Sequence, residues 1–203
     1  MDKKKQTLYV TAFDCTGKTT AVTRLNIEGY KAIEIDPING YQYMYVLPTE
    51  EEVRLFSEQY DKDGRIHLMG KQYFVDRFKN TPLRKIDPKF PQNFVKDLWK
   101  IDGKYDVVIM PLSKDVEDIL DDYGFHHLAI LPDKNSMFEF VGRMYVNNRS
   151  DSEIDHMISE WKTMTEKETY IGNGGSSAWT DILRLRSNYI IDVIDSYLVN
   201  KIE

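Results

Sequence analysis

At its first apolar run the chain reads Leu8-Tyr9-Val10-Thr11-Ala12-Phe13-Asp14-Cys15-Thr16-Gly17-Lys18-Thr19-Thr20. The apolar residues predict a first β-strand over 7–13, and the residues from Thr20 onward have the pattern of a first helix. Between them, Gly17 lets the backbone approach a phosphate, Lys18 offers an ammonium to the β- and γ-oxygens, and Thr19 offers a hydroxyl to Mg²⁺. A strand, such a loop and a helix in this order indicate a phosphate-binding P-loop.

Two residues depart from the full P-loop pattern. Ala12 stands where the pattern has its first glycine, and Cys15 lies in a stretch that is often rich in glycine. A methyl group is tolerated where φ stays negative, whereas a position that needs positive φ resists cysteine. We expect the loop to close in spite of both residues.

Composition limits the classes of protein that the chain can belong to. Its 203 residues fit one domain, 1–203, and 41% hydrophobic with 30% charged residues is typical of a globular protein. The net charge of −6 makes a polynucleotide an unlikely partner and favours small anionic ligands. With one cysteine and no apolar run of membrane-spanning length, we expect a cytoplasmic protein with no membrane partner, and a homodimer is compatible with the sequence.

Strand and helix patterns alternate along the chain, which predicts an α/β domain with a mainly parallel sheet. The predicted strands are 7–13, 31–36, 105–111, 126–131 and 168–171. The predicted helices are 113–124 with Ser113 as its N-cap, 136–148, 151–166 and 178–199.

Residues 37–104 separate the second and third predicted strands. Thr49 and Glu52 form a capping box that predicts a helix start, and Asp61 to Pro91 reads as irregular. A long irregular stretch in a compact domain is often a binding segment. We expect 37–104 to be an insertion that forms a binding segment.

Three stretches carry a resemblance to a known family. They are Phe13 to Thr20, Phe90 to Val95 leading into Tyr105 to Pro111, and Ala129 to Asp133 followed by Glu139, Arg143, Arg149 and Trp161. In this order they resemble the P-loop nucleoside monophosphate kinases, the thymidylate and adenylate kinase group, and most of all the divergent deoxynucleotide kinases of bacteriophages. The resemblance implies a three-layer P-loop NTPase domain with a five-stranded mainly parallel sheet and a small helical lid at about 136–166.

The resemblance also implies an activity and residue roles. The chain would transfer the γ-phosphoryl group of ATP, with Mg²⁺, to a nucleoside or deoxynucleoside monophosphate. Lys18, Arg143 and Arg149 would be catalytic, and Thr19 would bind the metal. The insertion 37–104 would bind the acceptor, and Asp36 and Arg77 would contact it. ATP would be bound by Asp14, Cys15, Thr16, Gly17, Lys18, Thr19 and Thr20.

Asp14 and each assignment outside the loop have a structural alternative. Asp14 either takes part in the site or only accepts hydrogen bonds that hold the loop. Arg143 and Arg149 either contact phosphates or form surface ion pairs, and their six-residue spacing lets both serve only if the helix ends near Asn147. Asp36 and Arg77 likewise either bind the acceptor or form surface ion pairs. Five aromatic residues of the insertion also have two alternatives, because they either stack on a base or pack in a core: Tyr41, Tyr43, Tyr45, Phe74 and Phe78.

Two other functions fit the sequence. The departures Ala12 and Cys15, and the lack of an acidic residue ending the third predicted strand, fit a non-catalytic ATP-binding regulatory or interaction protein. A kinase that acts on a polynucleotide or a modified base is the other alternative, and the acidic net charge weighs against it.

Overall fold

A computed structural model describes residues 7–63, 69–166, 180–185 and 189–202. The chain divides into two compact units, a larger one of Met1–Pro37 and Pro91–Glu203 and a smaller one of Ile38–Phe90. The strands are β1 (Leu8–Ala12), β2 (Ala32–Glu34), β3 (Tyr43–Val46), β4 (Leu83–Ile86), β5 (Val107–Pro111), β6 (His127–Pro132) and β7 (Thr180–Leu185). The helices are α1 (Lys18–Ile27), α2 (Glu50–Lys62), α3 (Gly70–Lys79), α4 (Gln92–Ile101), α5 (Lys114–Asp122), α6 (Met137–Val146), α7 (Asp151–Glu166) and α8 (Ile190–Ile202), with one π-helical turn at Ile38–Gln42.

The larger unit is built on a five-stranded parallel sheet in the order β2-β5-β1-β6-β7. Every residue of β1 is buried, because this strand lies between β5 and β6. In the sheet, β2 and β5 lie on one side of β1, and β6 and β7 lie on the other side. The carboxyl end of β1, where Asp14–Thr20 follow, therefore lies at the point where strand order reverses, which is where open α/β sheets bind ligands.

The predicted α/β class with a five-stranded parallel sheet is confirmed, and the first part of one predicted helix was wrong. The first four predicted strands correspond to β1, β2, β5 and β6. The fifth, at 168–171, lies outside the described residues, and the last strand is β7. Residues 180–185 were predicted as the start of a helix over 178–199, because Ile182, Leu185 and Tyr189 have helical spacing. Pairing with β6 along its whole length overrides that local pattern.

The other predicted helices are confirmed by α5, α6 and α7. The Ser113 hydroxyl accepts a hydrogen bond from the Val116 N–H, as an N-cap should. Helices α6 and α7 pack into the main core through Phe140 and Trp161, whose rings lie 6.3 and 5.6 Å from that of Phe13. The residue that begins the loop is thus fixed by both helices that were predicted to form a lid.

The smaller unit consists of the hairpin β3-β4 and the helices α2 and α3. Thr49 and Glu52 form the predicted capping box at the start of α2. The helices face each other through stacked rings, Phe56 on Phe78 at 4.3 Å and Tyr60 on Phe74 at 5.7 Å. Within the described ranges of the whole chain, no helix combines the length and apolarity that a bilayer crossing requires.

A buried ion pair lies at the amino end of β6, away from the loop. His127 Nε2 is 2.8 Å from Glu117 Oε2, and Nδ1 is 3.0 Å from the Phe125 carbonyl oxygen. Burial by itself would lower the pKa of His127, but the bond to Glu117 and its charge outweigh burial and raise the pKa. Both ring nitrogens can therefore donate hydrogen bonds as an imidazolium.

We predict that Glu117→Gln lowers the free energy of unfolding by roughly 2 kcal/mol or more, because it leaves a buried imidazole without its counter-charge. Chemical denaturation of both proteins measures the loss. The matched control is Glu160→Gln, which removes the partner of the exposed His156 and should change stability by less than about 0.5 kcal/mol. Equal effects of the two substitutions would contradict a structural role for the buried pair.

The same pair predicts a pH dependence of stability. Since the pKa of His127 is raised in the folded state, its contribution is complete below the ordinary histidine value of about 6.5 and is lost as the pH rises through the folded value. Denaturation curves of the parent protein should shift to lower stability across that window. Glu117→Gln should flatten this part of the profile, and an unchanged profile would argue against the coupling.

Candidate phosphate-binding site

The backbone of the loop takes the left-handed conformation twice. Ala12 remains extended as the last residue of β1, so its methyl group is accommodated as expected. Cys15 has φ of 58° and Gly17 has φ of 89°. A side chain in this region costs about 1–2 kcal/mol, which only glycine avoids. Cys15 therefore occupies the position that the sequence indicated would resist a cysteine.

Three hydrogen bonds hold the loop in that conformation. The buried Thr16 hydroxyl donates to the Phe13 carbonyl at 2.7 Å. The first N–H of α8, on Ile190, donates to the Thr16 carbonyl at 3.1 Å. Arg143 Nη1 on α6 donates to the Cys15 carbonyl at 3.3 Å. Two helices from the second half of the chain thus bind carbonyl oxygens of the loop.

Lys18 directs its ammonium back onto the loop. Its Nζ donates to the carboxylate of Asp14 at 2.9 Å and lies 3.4 and 3.3 Å from the carbonyl oxygens of Ala12 and Phe13. Three acceptors match the three protons of an ammonium. Asp14, for which two roles were open, is the exposed partner of a nearly buried lysine, and its carboxylate occupies a place at the ammonium that an anionic ligand could take.

Glu34 lies beside the loop, and the sequence analysis missed it. It ends β2, and its Oε2 accepts a hydrogen bond of 2.7 Å from the Thr19 hydroxyl. No acidic residue ends β5, the third strand predicted from the sequence, whereas Glu34 ends the neighbouring β2. A hydroxyl and a carboxylate in contact provide hard oxygen ligands of the kind that Mg²⁺ prefers. Glu34 and Thr19 therefore fit a magnesium ion carried on a nucleotide, with Glu34 holding it directly or through water.

Arg143 is enclosed rather than free at the surface. Its guanidinium lies 4.8 Å from the ring of Phe140 and 4.5 Å from that of Tyr189, and it pairs with Glu139 at 2.8 Å. The Tyr189 ring also covers Gly17, since a Cβ on that residue would lie 2.7 Å from Tyr189 Cδ1. Tyr189 was not singled out from the sequence, because it lay inside a predicted helix.

Arg149 reaches the same region from beyond the end of α6. The helix ends at Val146, and Asn148 turns the chain with φ of 54°. The condition under which both arginines could serve one site is therefore met. The charge of Arg149 acts on the Cys15 thiol, although burial first and then Asp14 raise the pKa of that thiol. Arg149 pairs with Glu153 at 2.9 Å on the exposed surface.

The remaining predicted residues are distributed between the two units. Thr20 is exposed in the first turn of α1, and Asp36 is exposed two residues beyond β2. In the smaller unit, Arg77 is exposed at the end of α3, where it lines a cavity together with Tyr73, Asp76, Asn80 and Thr81. Among the described residues no group of three or more His, Cys, Asp and Glu could hold a metal ion by itself.

The chain resembles known proteins in structure alone. No family model and no curated protein matches the chain. A gluconokinase from Sinorhizobium meliloti matches with 13% identity over 97% of this chain and 91% of its own, with a TM-score of 0.45. The tunicamycin resistance protein of Deinococcus radiodurans matches with 10% identity over 97% and 95% and a TM-score of 0.46. Thymidylate kinase from Candida albicans matches with 10% identity over 97% and 90% and a TM-score of 0.40. Matches at these scores assign neither a family nor an activity to the chain.

We predict that Gly17→Ala destabilises the protein more than Gly29→Ala does. Both glycines have positive φ, 89° and 94°, so both alanines carry a backbone strain of about 1–2 kcal/mol. Gly29 has open space around it, whereas a Cβ on Gly17 meets Tyr189. Thermal or chemical unfolding measures both losses.

A Tyr189→Ala background isolates the contact. There the cost of Gly17→Ala should fall to that of Gly29→Ala. If the cost of Gly17→Ala is the same in both backgrounds, Tyr189 does not pack on the loop in solution.

Proposed function

We propose that the chain is a Mg²⁺-dependent phosphotransferase that moves the γ-phosphoryl group of ATP to a nucleoside or deoxynucleoside monophosphate. The observation that carries the proposal is the group of charges around one loop. Lys18 lies within it, Arg143 binds its Cys15 carbonyl, and Thr19 contacts Glu34. Phosphoryl transfer requires positioning and charge stabilisation rather than covalent chemistry from the protein, and these residues offer both.

The loop would bind the donor through groups that the chain already holds in place. Gly17 precedes α1 without a side-chain cap, so the first N–H groups of that helix and its positive dipole end are not capped by a side chain of the N-cap residue. Lys18 would exchange the Asp14 carboxylate for phosphate oxygens. A bound magnesium ion would neutralise phosphate charge, and Thr19 with Glu34 would hold it.

The acceptor would be bound by the candidates that the sequence identified. Asp36 follows β2 at the carboxyl edge of the sheet, and Arg77 is an exposed cation of the smaller unit. Arg143 and Arg149 would stabilise charge on the transferred group, because arginine binds phosphate oxygens with a planar fork of donors. In that role Arg143 would have to exchange the Cys15 carbonyl or Glu139 for phosphate.

Glu34 favours a second candidate, a kinase whose acceptor group is a hydroxyl. A phosphate acceptor is largely deprotonated at pH 7 and needs no base, whereas a hydroxyl must lose its proton during transfer. A carboxylate next to the metal-binding threonine could accept that proton. The same site would then phosphorylate nucleosides or other alcohols.

An acceptor panel tests the proposed activity. The protein is incubated with ATP, Mg²⁺ and either nucleoside monophosphates or the corresponding nucleosides, and the products are separated by chromatography. We expect a diphosphate product that Lys18→Ala reduces by about 10²-fold or more, because the ammonium stabilises charge in transfer. The control Lys104→Ala, at an exposed turn before β5, should retain full activity. ATP binding without any product would support the non-catalytic alternative.

Glu34→Gln separates the two acceptor classes. If the acceptor is a hydroxyl, loss of the base should reduce kcat by about 10²–10⁴-fold. If the acceptor is a phosphate, the substitution should act mainly through Mg²⁺, and a higher Mg²⁺ concentration should restore most of the rate. Glu28→Gln, at the other end of α1, is the matched control and should leave both reactions unchanged.

A further inference from the structure

The two faces of the hairpin in the smaller unit carry different side chains. Met44, Val46, Leu83 and Lys85 alternate onto one face, and Lys85 pairs there with Glu52 of α2 at 2.6 Å. The other face carries Tyr43, Tyr45, Arg84 and Ile86. The register places Tyr43 opposite Ile86 and Tyr45 opposite Arg84, so these four side chains form a single patch, here called the hairpin face.

The hairpin face exposes groups that proteins usually bury. Tyr45 is 68% exposed and Ile86 is 67% exposed. The other aromatic residues that the sequence left open, Phe74 and Phe78, pack between α2 and α3. The two phenylalanines thus contact the other helix of the unit, whereas Tyr45 lies at the surface.

Arg84 gives the hairpin face a positive charge. Its guanidinium lies 3.7 Å from the centre of the Tyr43 ring, and Nη2 donates to Asn39 Oδ1 at 3.3 Å. No carboxylate pairs with it among the described residues, whereas Lys85 on the opposite face is paired. Residues 38–90 contain nine Lys and Arg against eight Asp and Glu, a net charge of +1 in a chain of −6. The unit that bears the hairpin face is thus less acidic than the rest of the chain.

The backbone supports a fixed geometry for this patch. The π-helical turn Ile38–Gln42 leads directly into β3, and the Asp87 N–H donates to the Gln42 carbonyl at 2.9 Å. Asn39, which holds Arg84, belongs to that turn. Turns of this kind are rare and frequently occur at functional sites.

We propose that the hairpin face binds a nucleobase-bearing monophosphate, with the base on Tyr45 and Arg84 and the phosphate near the Arg84 charge. Aromatic rings and arginine planes stack on any base, and a guanidinium that pairs with no carboxylate of the described residues complements an anionic group. The inference deepens the proposed function, because it assigns the base of the acceptor to a set of side chains. The inference rests on the proposed function in its first form, in which the acceptor is a nucleotide. All the side chains that it assigns belong to the smaller unit.

The test is calorimetric binding to the full chain without ATP. The probes are thymidine and adenosine monophosphates, with ribose 5-phosphate as the ligand that lacks a base. We expect the nucleotides to bind at least about tenfold more tightly than ribose 5-phosphate. Tyr45→Ala and Arg84→Ala should remove that difference, and Tyr45→Phe should retain it. Met44→Ala, on the opposite face of the same strand, should bind as the parent does.

Three results would overturn the inference. Equal affinity for ribose 5-phosphate and the nucleotides would show that no base is recognised. Unchanged nucleotide binding by Tyr45→Ala would place the base elsewhere. Binding of a single-stranded oligonucleotide about 10²-fold more tightly than the mononucleotides, with the same dependence on Tyr45, would assign the face to nucleic acid.

Failure of this inference differs from failure of the proposed function. If the chain transfers no phosphoryl group, nucleotide binding that depends on Tyr45 would still be observed and would support the hairpin face by itself. If the chain is a kinase whose acceptor binds elsewhere, diphosphate formation would persist in Tyr45→Ala with an unchanged KM.

Discussion

The left-handed backbone at Gly17 is the constraint on which the site depends. The chain leaves the buried β1 and must reverse into α1 within a few residues, and it does so with positive φ at Cys15 and Gly17. This strained path is maintained by bonds to carbonyl oxygens from Arg143 and from the start of α8. Residues far apart in the sequence thus fix the geometry in which Lys18 and Thr19 are presented.

The strain at Cys15 clarifies the meaning of the departures from the P-loop pattern. Ala12 causes none, because it remains in the strand. Cys15 carries a real cost, of about 1–2 kcal/mol, and the contact between its carbonyl and Arg143 is one interaction that offsets it. Arg143, which was predicted to stabilise charge on the transferred group, therefore also has a structural role. It connects the loop to α6.

Much of the fold could be predicted from the sequence, because the signals were local. The apolar runs of β1, β5 and β6 and the caps at Ser113 and Thr49 are properties of neighbouring residues. β7 could not be predicted, since Ile182 and Leu185 have helical spacing and only pairing with β6 makes them a strand. The same holds for Tyr189, whose contact with Gly17 depends on where α8 begins.

Glu34 could be predicted from the sequence only in part. It lay inside the predicted strand 31–36, so an acidic side chain near the carboxyl edge of the sheet was available as a signal. What the sequence lacked was the strand order, and the hydrogen bond to Thr19 that joins β2 to the loop appears only in three dimensions. The tyrosines of the hairpin are similar, because an aromatic side chain suits either a core or a binding surface, and only the strand register shows that both lie on one face.

The central claim is that the loop around Lys18 binds nucleotide phosphates, and calorimetric titration with ATP in the presence of Mg²⁺ tests it most directly. The account predicts saturable binding by the parent protein. Lys18→Ala should bind ATP at least about tenfold more weakly, since one charge-assisted contact contributes roughly 1.5–3 kcal/mol. Absence of ATP binding, or equal binding by the two proteins, would contradict it.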